Sequence, residues 1–366
     1  MKKVVFILGD ASECGGIEKV TLNLSDELNK FISTKVISLY KKNKEVAFKV
    51  VDLPIDYLNN TYEISMYNRP YGLLRGLIFD FIYIYKKSKQ INDVFRSNTP
   101  DYIVVPDIKT LALAMVLRST KKSDIIAIEH FEYDVPNFFL RMLRRFLYKS
   151  SRVKVVTQTN EDFSKYSWLP KGKVNVIPNM YSISDVKSNV KIKRIIAIGR
   201  YCEQKGFDLL INAWRNIPET QREGWLLEIY GQGEDKEKLE KIIENHKVAS
   251  VSLKPFTNNI DEIYSSSEIF VLSSRYEGLG MVLIEALAHK LPCISFSCPA
   301  GPKTIIKHNY NGMLVEPGNI VELSNSMSYL MNSPESRALF SSNSISSIEK
   351  FSQKSVSSQW LDLINE

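Results

Sequence analysis

Residues 269–286 read Ile269-Phe270-Val271-Leu272-Ser273-Ser274-Arg275-Tyr276-Glu277-Gly278-Leu279-Gly280-Met281-Val282-Leu283-Ile284-Glu285-Ala286. Four apolar residues form a buried strand, a turn carries two glycines, and an apolar run then opens a helix. Glycine lets a backbone approach a ligand closely, and the free N–H groups that begin a helix attract anions. A carboxylate at each end, Glu277 and Glu285, adds acceptors for hydroxyl groups. A plain glycine turn with a capping carboxylate accounts for the same residues, so this stretch alone leaves both readings open.

Working outward, the strand–helix unit recurs. Upstream in the same half, strands are expected at Arg194–Ile198, Leu226–Tyr230 and Val251–Leu253, and downstream at Cys293–Phe296 and Met313–Val315. Helical spacing lies between them at Phe207–Asn216, Asp235–Asn245, Met281–His289 and Ile320–Met331. The first half repeats the pattern, with strands expected at Val4–Leu8, Lys35–Leu39, Tyr102–Val105, Ile125–Ile128, Val153–Thr157 and Val174–Ile177, and helices such as Ile17–Leu28 and Phe138–Tyr148. Two βα series imply two doubly wound α/β domains with parallel sheets, whose ligands bind beyond the strand C-termini. A polar stretch from Pro178-Asn179-Met180 to Ser188-Asn189 reads as the linker. The expected domains are 1–180 and 190–350, with 351–366 as a last helical segment that packs back on the first.

The bulk properties exclude several classes. Hydrophobic residues make up 44% and charged residues 24% of 366, ordinary for a chain that buries real cores. Four scattered cysteines (Cys14, Cys202, Cys293, Cys298) contain no C-x-x-C pair, and Met1-Lys2-Lys3 leads into a first strand rather than a leader. A reducing, cytoplasmic setting is therefore expected. The stretch Tyr71 to Tyr85 is about 15 residues and holds Arg75 and Asp80, whereas a span needs roughly 20 apolar ones. Residues 1–180 carry 28 Lys+Arg against 19 Asp+Glu, and the remainder 20 against 22. The basic half suits an anionic partner, or simply a solvated surface.

Three more loops follow strands. Gly199-Arg200-Tyr201-Cys202-Glu203-Gln204-Lys205-Gly206 puts a forked donor, Arg200, and a point charge, Lys205, at a sheet's mouth, a pair suited to a diphosphate. A solvated loop would look the same. Gly9 to Glu18 contains Gly15-Gly16 before a helix but is not G-x-G-x-x-G, so a dinucleotide fingerprint is absent. Gly231-Gln232-Gly233 is the third. Glu129-His130-Phe131 ends the Ile125–Ile128 strand, and His130 reads either as a site residue or as a core histidine.

In order and spacing, these pieces resemble a family 4 retaining glycosyltransferase of the GT-B fold, over nearly the whole chain. The matching residues are Gly15-Gly16-Ile17-Glu18, Gly199-Arg200 with Lys205-Gly206, Tyr230-Gly231-Gln232-Gly233, and Glu277 to Glu285 as an E-x7-E motif. The resemblance implies two Rossmann-like domains facing a central cleft, the first, 1–180, binding the acceptor and the second, 190–350, the nucleotide-sugar donor. It implies that Arg200 and Lys205 bind the donor diphosphate, with help from the stretch Gly278, Leu279, Gly280, Met281 and Val282 at the helix start. Glu277 would hold the transferred sugar, Glu285 the ribose, Gly15 and Gly16 the donor by close backbone approach, and main chain around Pro255-Phe256 the base. His130 would contact the sugar on the catalytic side. The sequence departs from the family in Leu279, where an aromatic is frequent, and in Tyr201-Cys202, where small or aliphatic residues are common.

The resemblance further implies retention of configuration and a UDP-hexose or UDP-N-acetylhexosamine donor. No D-x-D and no His/Cys cluster with metal-ligand spacing occurs, so neither metal nor cofactor is expected. The expected acceptor is a lipid-linked or other oligosaccharide used in building a surface polysaccharide such as O-antigen or capsule. Arg141 to Lys149 and Tyr71 to Lys89 mix cations with apolar residues and suit an anionic membrane surface at the inner face of the plasma membrane; core-facing helices with a basic outer face are the alternative. A nucleotide-sugar epimerase, a sugar phosphorylase and a non-catalytic basic module are the rivals. Single-strand-binding signatures are missing, and no nucleic-acid partner is expected.

Overall fold

The computed structural model describes residues 2–366 except 14, 44–47, 49, 51, 97, 131, 132, 135, 137, 182–191 and 258. Cys14, Phe131 and the linker positions from 182 onward thus lie outside the described residues. The chain divides into two units: Met1–Met180 with Gln353–Glu366, and Tyr181–Ser352.

The first unit holds seven strands, β1 (Lys3–Asp10), β2 (Ser33–Tyr40), β3 (Ile55–Tyr57), β4 (Tyr102–Val105), β5 (Asp124–Ile128), β6 (Val153–Thr157) and β7 (Val174–Val176). They pair in parallel in the order β3-β2-β1-β4-β5-β6-β7. The second unit holds β8 (Arg194–Ile198), β9 (Leu226–Tyr230), β10 (Val251–Lys254), β11 (Ile269–Leu272), β12 (Cys293–Phe296) and β13 (Gly312–Val315), parallel in the order β10-β9-β8-β11-β12-β13. The β3 strand escapes a sequence reading because three residues after Pro54 are too few to show a period.

Strand residues alternate between faces, and in both units both faces are covered. In the first, Val5, Ile7, Ile103 and Val105 enter one core, while Val4, Phe6, Leu8 and Val104 enter the other. In the second, Ile195, Ala197, Ile269 and Val271 pack with Leu210 and Trp214, whereas Ile196, Phe270 and Leu272 pack with Leu283 and Leu287. Each fully buried aliphatic side chain contributes about 1.5–3 kcal/mol, against about 0–1 for an exposed ion pair, so these four clusters hold the units together. The C-terminal helix Gln353–Asn365 belongs to the first unit: Val356, Trp360, Leu363 and Ile364 are buried with Val4, Phe6 and Leu28.

Each sheet has one point where the strand order reverses, between β1 and β4 in the first and between β8 and β11 in the second. Crossovers leave the sheet in opposite directions there, so the loops at the strand C-termini separate and open a crevice.

Candidate active site

Two loops leave the reversal point of the second sheet, residues 199–206 after β8 and 273–280 after β11. They are tied together along their length. The Arg275 guanidinium donates to both Asp208 oxygens, at 2.9 and 2.7 Å, and to the Glu203 carbonyl at 2.7 Å. The Arg275 amide donates to the Gln204 carbonyl at 2.8 Å. The Ser273 hydroxyl donates to the Lys205 carbonyl at 2.9 Å, and Gln204 Nε2 to the Tyr276 carbonyl at 3.1 Å. Burial opposes the charge on Asp208, but the fork of Arg275 outweighs it and holds the carboxyl below its ordinary pKa. Gly206 takes φ 60°, and a Cβ there would run into the Ser273 carbonyl oxygen.

Within that frame Lys205 Nζ lies 2.6 Å from Glu277 Oε1, and the Ser274 hydroxyl donates to the same oxygen at 2.6 Å. Glu277 is 6% exposed. Its carboxylate is thus held on a buried turn by one cation and one hydroxyl. Gly280, at φ 84°, swings the chain from this turn into the helix Met281–Ala288, a conformation that L side chains seldom adopt. Amides at the start of a helix attract anions. Glu285 sits on its second turn, where the Tyr264 hydroxyl donates to Oε2 at 3.1 Å. Tyr264 is fully buried and stacks on His289; burial, then the Glu285 charge, push its hydroxyl well above the ordinary pKa.

The other expected donor contacts fall less simply. The Arg200 side chain is 71% exposed and pairs with Glu234 at 3.1 Å, apart from the Lys205–Glu277 pair. Leu279 is buried among Leu283, Ile305 and their neighbours, so the side chain that replaces an aromatic serves the core and leaves only its main chain for a ligand. Phe256 stands half exposed just beyond β10. Tyr201, noted only as a departure from the family pattern, is buried, and its hydroxyl donates to the Ile229 and Lys254 carbonyls at 2.8 and 2.6 Å. It ties the ends of β8, β9 and β10, and burial pushes its pKa up to about 12. Ser274, Arg275 with Asp208, Tyr201 and Tyr264 were missed as site-building residues; the Ser274-x-x-Glu277 spacing was the one sequence signal for any of them.

In the first unit Gly15 is the extended N-cap of the helix Gly16–Asn29. The Glu18 carboxylate folds back against Gly15. Burial, with the charges of Glu13, Asp10 and Asp107, raises Glu18 to about 7. His130 follows β5; its Nε2 is buried with no hydrogen-bond partner among the described residues, and burial lowers its pKa to about 4. Its neighbour Glu129 accepts from the Tyr148 hydroxyl and lies 3.7 Å from Arg144.

That pairing corrects part of the reading of the basic segments. Arg144 is buried over the Tyr133 ring, and Lys87 is buried on Glu63 and the Leu39 carbonyl, so neither belongs to an outer basic face. The outer faces are instead largely apolar. The helix Leu73–Val94 exposes Leu77, Ile78, Phe81, Ile82 and Tyr85, and the helix Phe138–Leu147 exposes Phe138, Phe139, Met142 and Phe146. Both helices touch the helix Ile108–Met115 on the same face of the sheet, so the two apolar faces share one side of the unit. Among the described residues no helix is long and apolar enough to cross a membrane, and no three His, Cys, Asp or Glu residues converge as a metal site.

Residues 182–347 match the family model described as glycosyl transferases group 1. The chain is 27% identical over 379 residues to the amylovoran biosynthesis glycosyltransferase AmsD of Erwinia amylovora, covering all of both chains. It is 26% identical over 382 residues to the GalNAc-alpha-(1->4)-GalNAc-alpha-(1->3)-diNAcBac-PP-undecaprenol alpha-1,4-N-acetyl-D-galactosaminyltransferase of Campylobacter jejuni, covering 100% of this chain and 99% of that one. The crystal structure of Anabaena HepE in complex with UDP and glucose matches with a TM-score of 0.81 at 16% identity, covering 100% of both chains. The fold is GT-B, and the matched family model with its full-length relatives supports a GT-B glycosyltransferase.

Proposed function

We propose that the chain is a family 4 retaining glycosyltransferase, independent of metal, that moves a hexose or N-acetylhexosamine from a UDP-sugar to a lipid-linked or other oligosaccharide in surface-polysaccharide assembly. The observation that carries this reading is the Lys205–Glu277 pair beside the Gly280 turn at the reversal point of the second sheet. The HepE structure with UDP and glucose, and the undecaprenol-linked substrate named for the Campylobacter relative, support the donor and acceptor classes.

In this reading the bond from the sugar's anomeric carbon to the diphosphate breaks, and the acceptor oxygen bonds that carbon on the same face. The acceptor's proton passes to the departing diphosphate. Lys205 and the helix amides stabilise the charge that develops on the leaving group, and Arg200 exchanges Glu234 for a phosphate oxygen. The Arg200–Glu234 pair is exposed and worth little, so the exchange costs little. Glu277, anchored by Ser274, accepts from the sugar's hydroxyls, and Glu285 from the ribose. His130, neutral at physiological pH, offers a hydrogen bond to the sugar rather than a proton. The apolar faces of the helices Leu73–Val94 and Phe138–Leu147, flanked by Arg75, Lys86, Lys89, Arg145 and Lys149, rest on an anionic membrane at its inner surface.

The test is release of nucleoside diphosphate from a panel of UDP-, GDP- and ADP-sugars, with and without EDTA. Slow hydrolysis of a UDP-sugar that EDTA leaves unchanged is the expected result. Loss of turnover in EDTA, restored by Mg²⁺ or Mn²⁺, would remove metal independence. No binding of any donor would return the chain to the non-catalytic reading.

A further inference from the structure

The helix Ile260–Ser266 precedes β11 and carries Tyr264, whose ring is fully buried among Phe270, Leu283, Ile284 and Leu287. Phe270 meets this ring at 5.9 Å between centroids, and His289 stacks on it at 5.1 Å with the planes 20° apart. His289 is itself fixed, with Nδ1 2.8 Å from the Glu285 carbonyl and Nε2 3.3 Å from Asp261. A tyrosine has only two side-chain torsions, so packing of the ring decides where its hydroxyl points.

Packing does not explain the hydroxyl itself. A phenylalanine would fill the same apolar cluster without desolvating an O–H group, so the oxygen is present for its hydrogen bond. It faces two acceptors on the helix Met281–Ala288, the Glu285 carboxylate at 3.1 Å and the Val282 carbonyl at 3.4 Å. A phenol has one proton to give. The carboxylate is nearer and charged, and hydrogen bonds to charged acceptors are about twice as strong as neutral ones, so the proton goes to Glu285. Burial, then the Glu285 charge, raise the pKa of the hydroxyl and keep that proton on its oxygen. The same device serves the other carboxylate of the motif, where the Ser274 hydroxyl donates to Glu277 at 2.6 Å.

We infer that the Tyr264 hydroxyl is the positioning group that aims Glu285 at the donor's ribose and thereby sets the preference for a ribonucleotide over its deoxy forms, an inference that rests on the proposed donor reaction. Glu285 is only partly buried, and a carboxylate accepts at about four lone-pair positions, so it can take a ribose hydroxyl beside the Tyr264 bond. Fixing its angle before the nucleotide arrives removes an ordering cost from binding. A deoxy nucleotide then leaves a positioned, desolvated acceptor without its donor, which is where discrimination comes from.

The test is calorimetric binding of UDP, 2′-deoxy-UDP and 3′-deoxy-UDP to the full chain, as wild type, Tyr264→Phe, Glu285→Gln and the double variant. Wild type binds UDP about ten- to a hundredfold more tightly than at least one deoxy form, the range for a hydrogen bond to a charged group. In Tyr264→Phe that ratio falls to about threefold or less, while the deoxy form binds as it does to wild type. The unchanged deoxy binding also shows that the site is still folded. With Glu285→Gln already present, adding Tyr264→Phe moves the ratio by less than about twofold, because the charged oxygen it held is gone. Equal weakening of all three nucleotides, with the ratio kept, overturns the inference and makes the hydroxyl an anchor for the helix. A Tyr264→Phe effect of full size without the Glu285 carboxylate overturns it as well. So does a wild type that binds UDP and its deoxy forms alike. The donor reaction is read separately, as UDP release from UDP-sugars without acceptor: its failure beside intact ribose discrimination removes the transferase reading and leaves the role of Tyr264 standing. A wild type that binds none of the three overturns both.

Discussion

Lys205 and Glu277 stand 72 residues apart in the chain, on loops from different strands, and meet at 2.6 Å. Neither loop achieves this alone. The Arg275–Asp208 fork and the Ser273–Lys205 bond fix the two loops to each other, so the contact is a property of the frame.

That shared frame makes the two residues energetically coupled. Lys205→Ala and Glu277→Gln each lower kcat/KM for nucleoside diphosphate release by about 10²–10³-fold, the range for removing one group that stabilises developing charge. The double variant falls well short of the product of the two losses, because each single change already leaves its partner misplaced. Measuring all four proteins gives the coupling. Fully multiplicative losses would mean that the contact has no part in turnover.

Gly206 tests the frame rather than the chemistry. Gly206→Ala forces a Cβ into both a left-handed backbone, costing about 1–2 kcal/mol, and the Ser273 carbonyl. Gly224 has φ 75° and open space around its Cβ position, in the same unit. Thermal unfolding should therefore show Gly206→Ala lowering Tm clearly more than Gly224→Ala, with donor hydrolysis lost only in the former. Equal shifts would show that the loops yield to the clash.

These examples mark what was legible beforehand. Strands such as Ile269–Leu272 and Arg194–Ile198 are readable because burial on both faces writes an unbroken apolar run. Glycine turns are readable because few other residues take positive φ. The direction in which a long cation points is not written in its neighbours. Arg144 and Lys87 share their helices with Arg145 and Lys86, yet turn inward to Glu129 and Glu63, residues remote in sequence. Tyr201 escaped for the same reason: its partners are the carbonyl ends of two other strands, brought together only by the sheet.

Glu18 gives a pH signature. Burial, then its acidic neighbours, raise the folded carboxyl to about 7, above the ordinary carboxyl value that applies in the unfolded chain. The folded state therefore binds more protons than the unfolded one between those two values, and stability falls as pH rises through that window. Glu18→Gln keeps the neutral shape and removes the titration. The variant and wild type should unfold alike near pH 4, with the variant gaining about 2 kcal/mol by pH 8, after allowance for partial exposure. Denaturant unfolding across pH 4–8 reads the difference; parallel curves would mean that the carboxylate is solvated when the protein is folded.

Phe81 and Phe146 are 74% and 76% exposed, on two helices that flank a third on one side of the first unit. Exposed aromatic rings at successive turns have no function in water, and monomers seldom carry so large an apolar surface without a partner. Cations beside them, Lys86, Lys89, Arg145 and Lys149, add attraction to anionic headgroups worth about 1 kcal/mol each near the surface. Flotation with vesicles containing phosphatidylglycerol should therefore carry the wild type up, less so as salt rises, since screening weakens the charge contribution and leaves the apolar one. Phe81→Glu and Phe146→Glu each lower the bound fraction by at least about tenfold, because each loses one ring's insertion of about 1.5–3 kcal/mol and gains a repelled charge. Donor hydrolysis in the absence of vesicles serves as the fold control. Equal flotation of all three proteins, or none by the wild type, would assign these faces to another protein rather than to lipid.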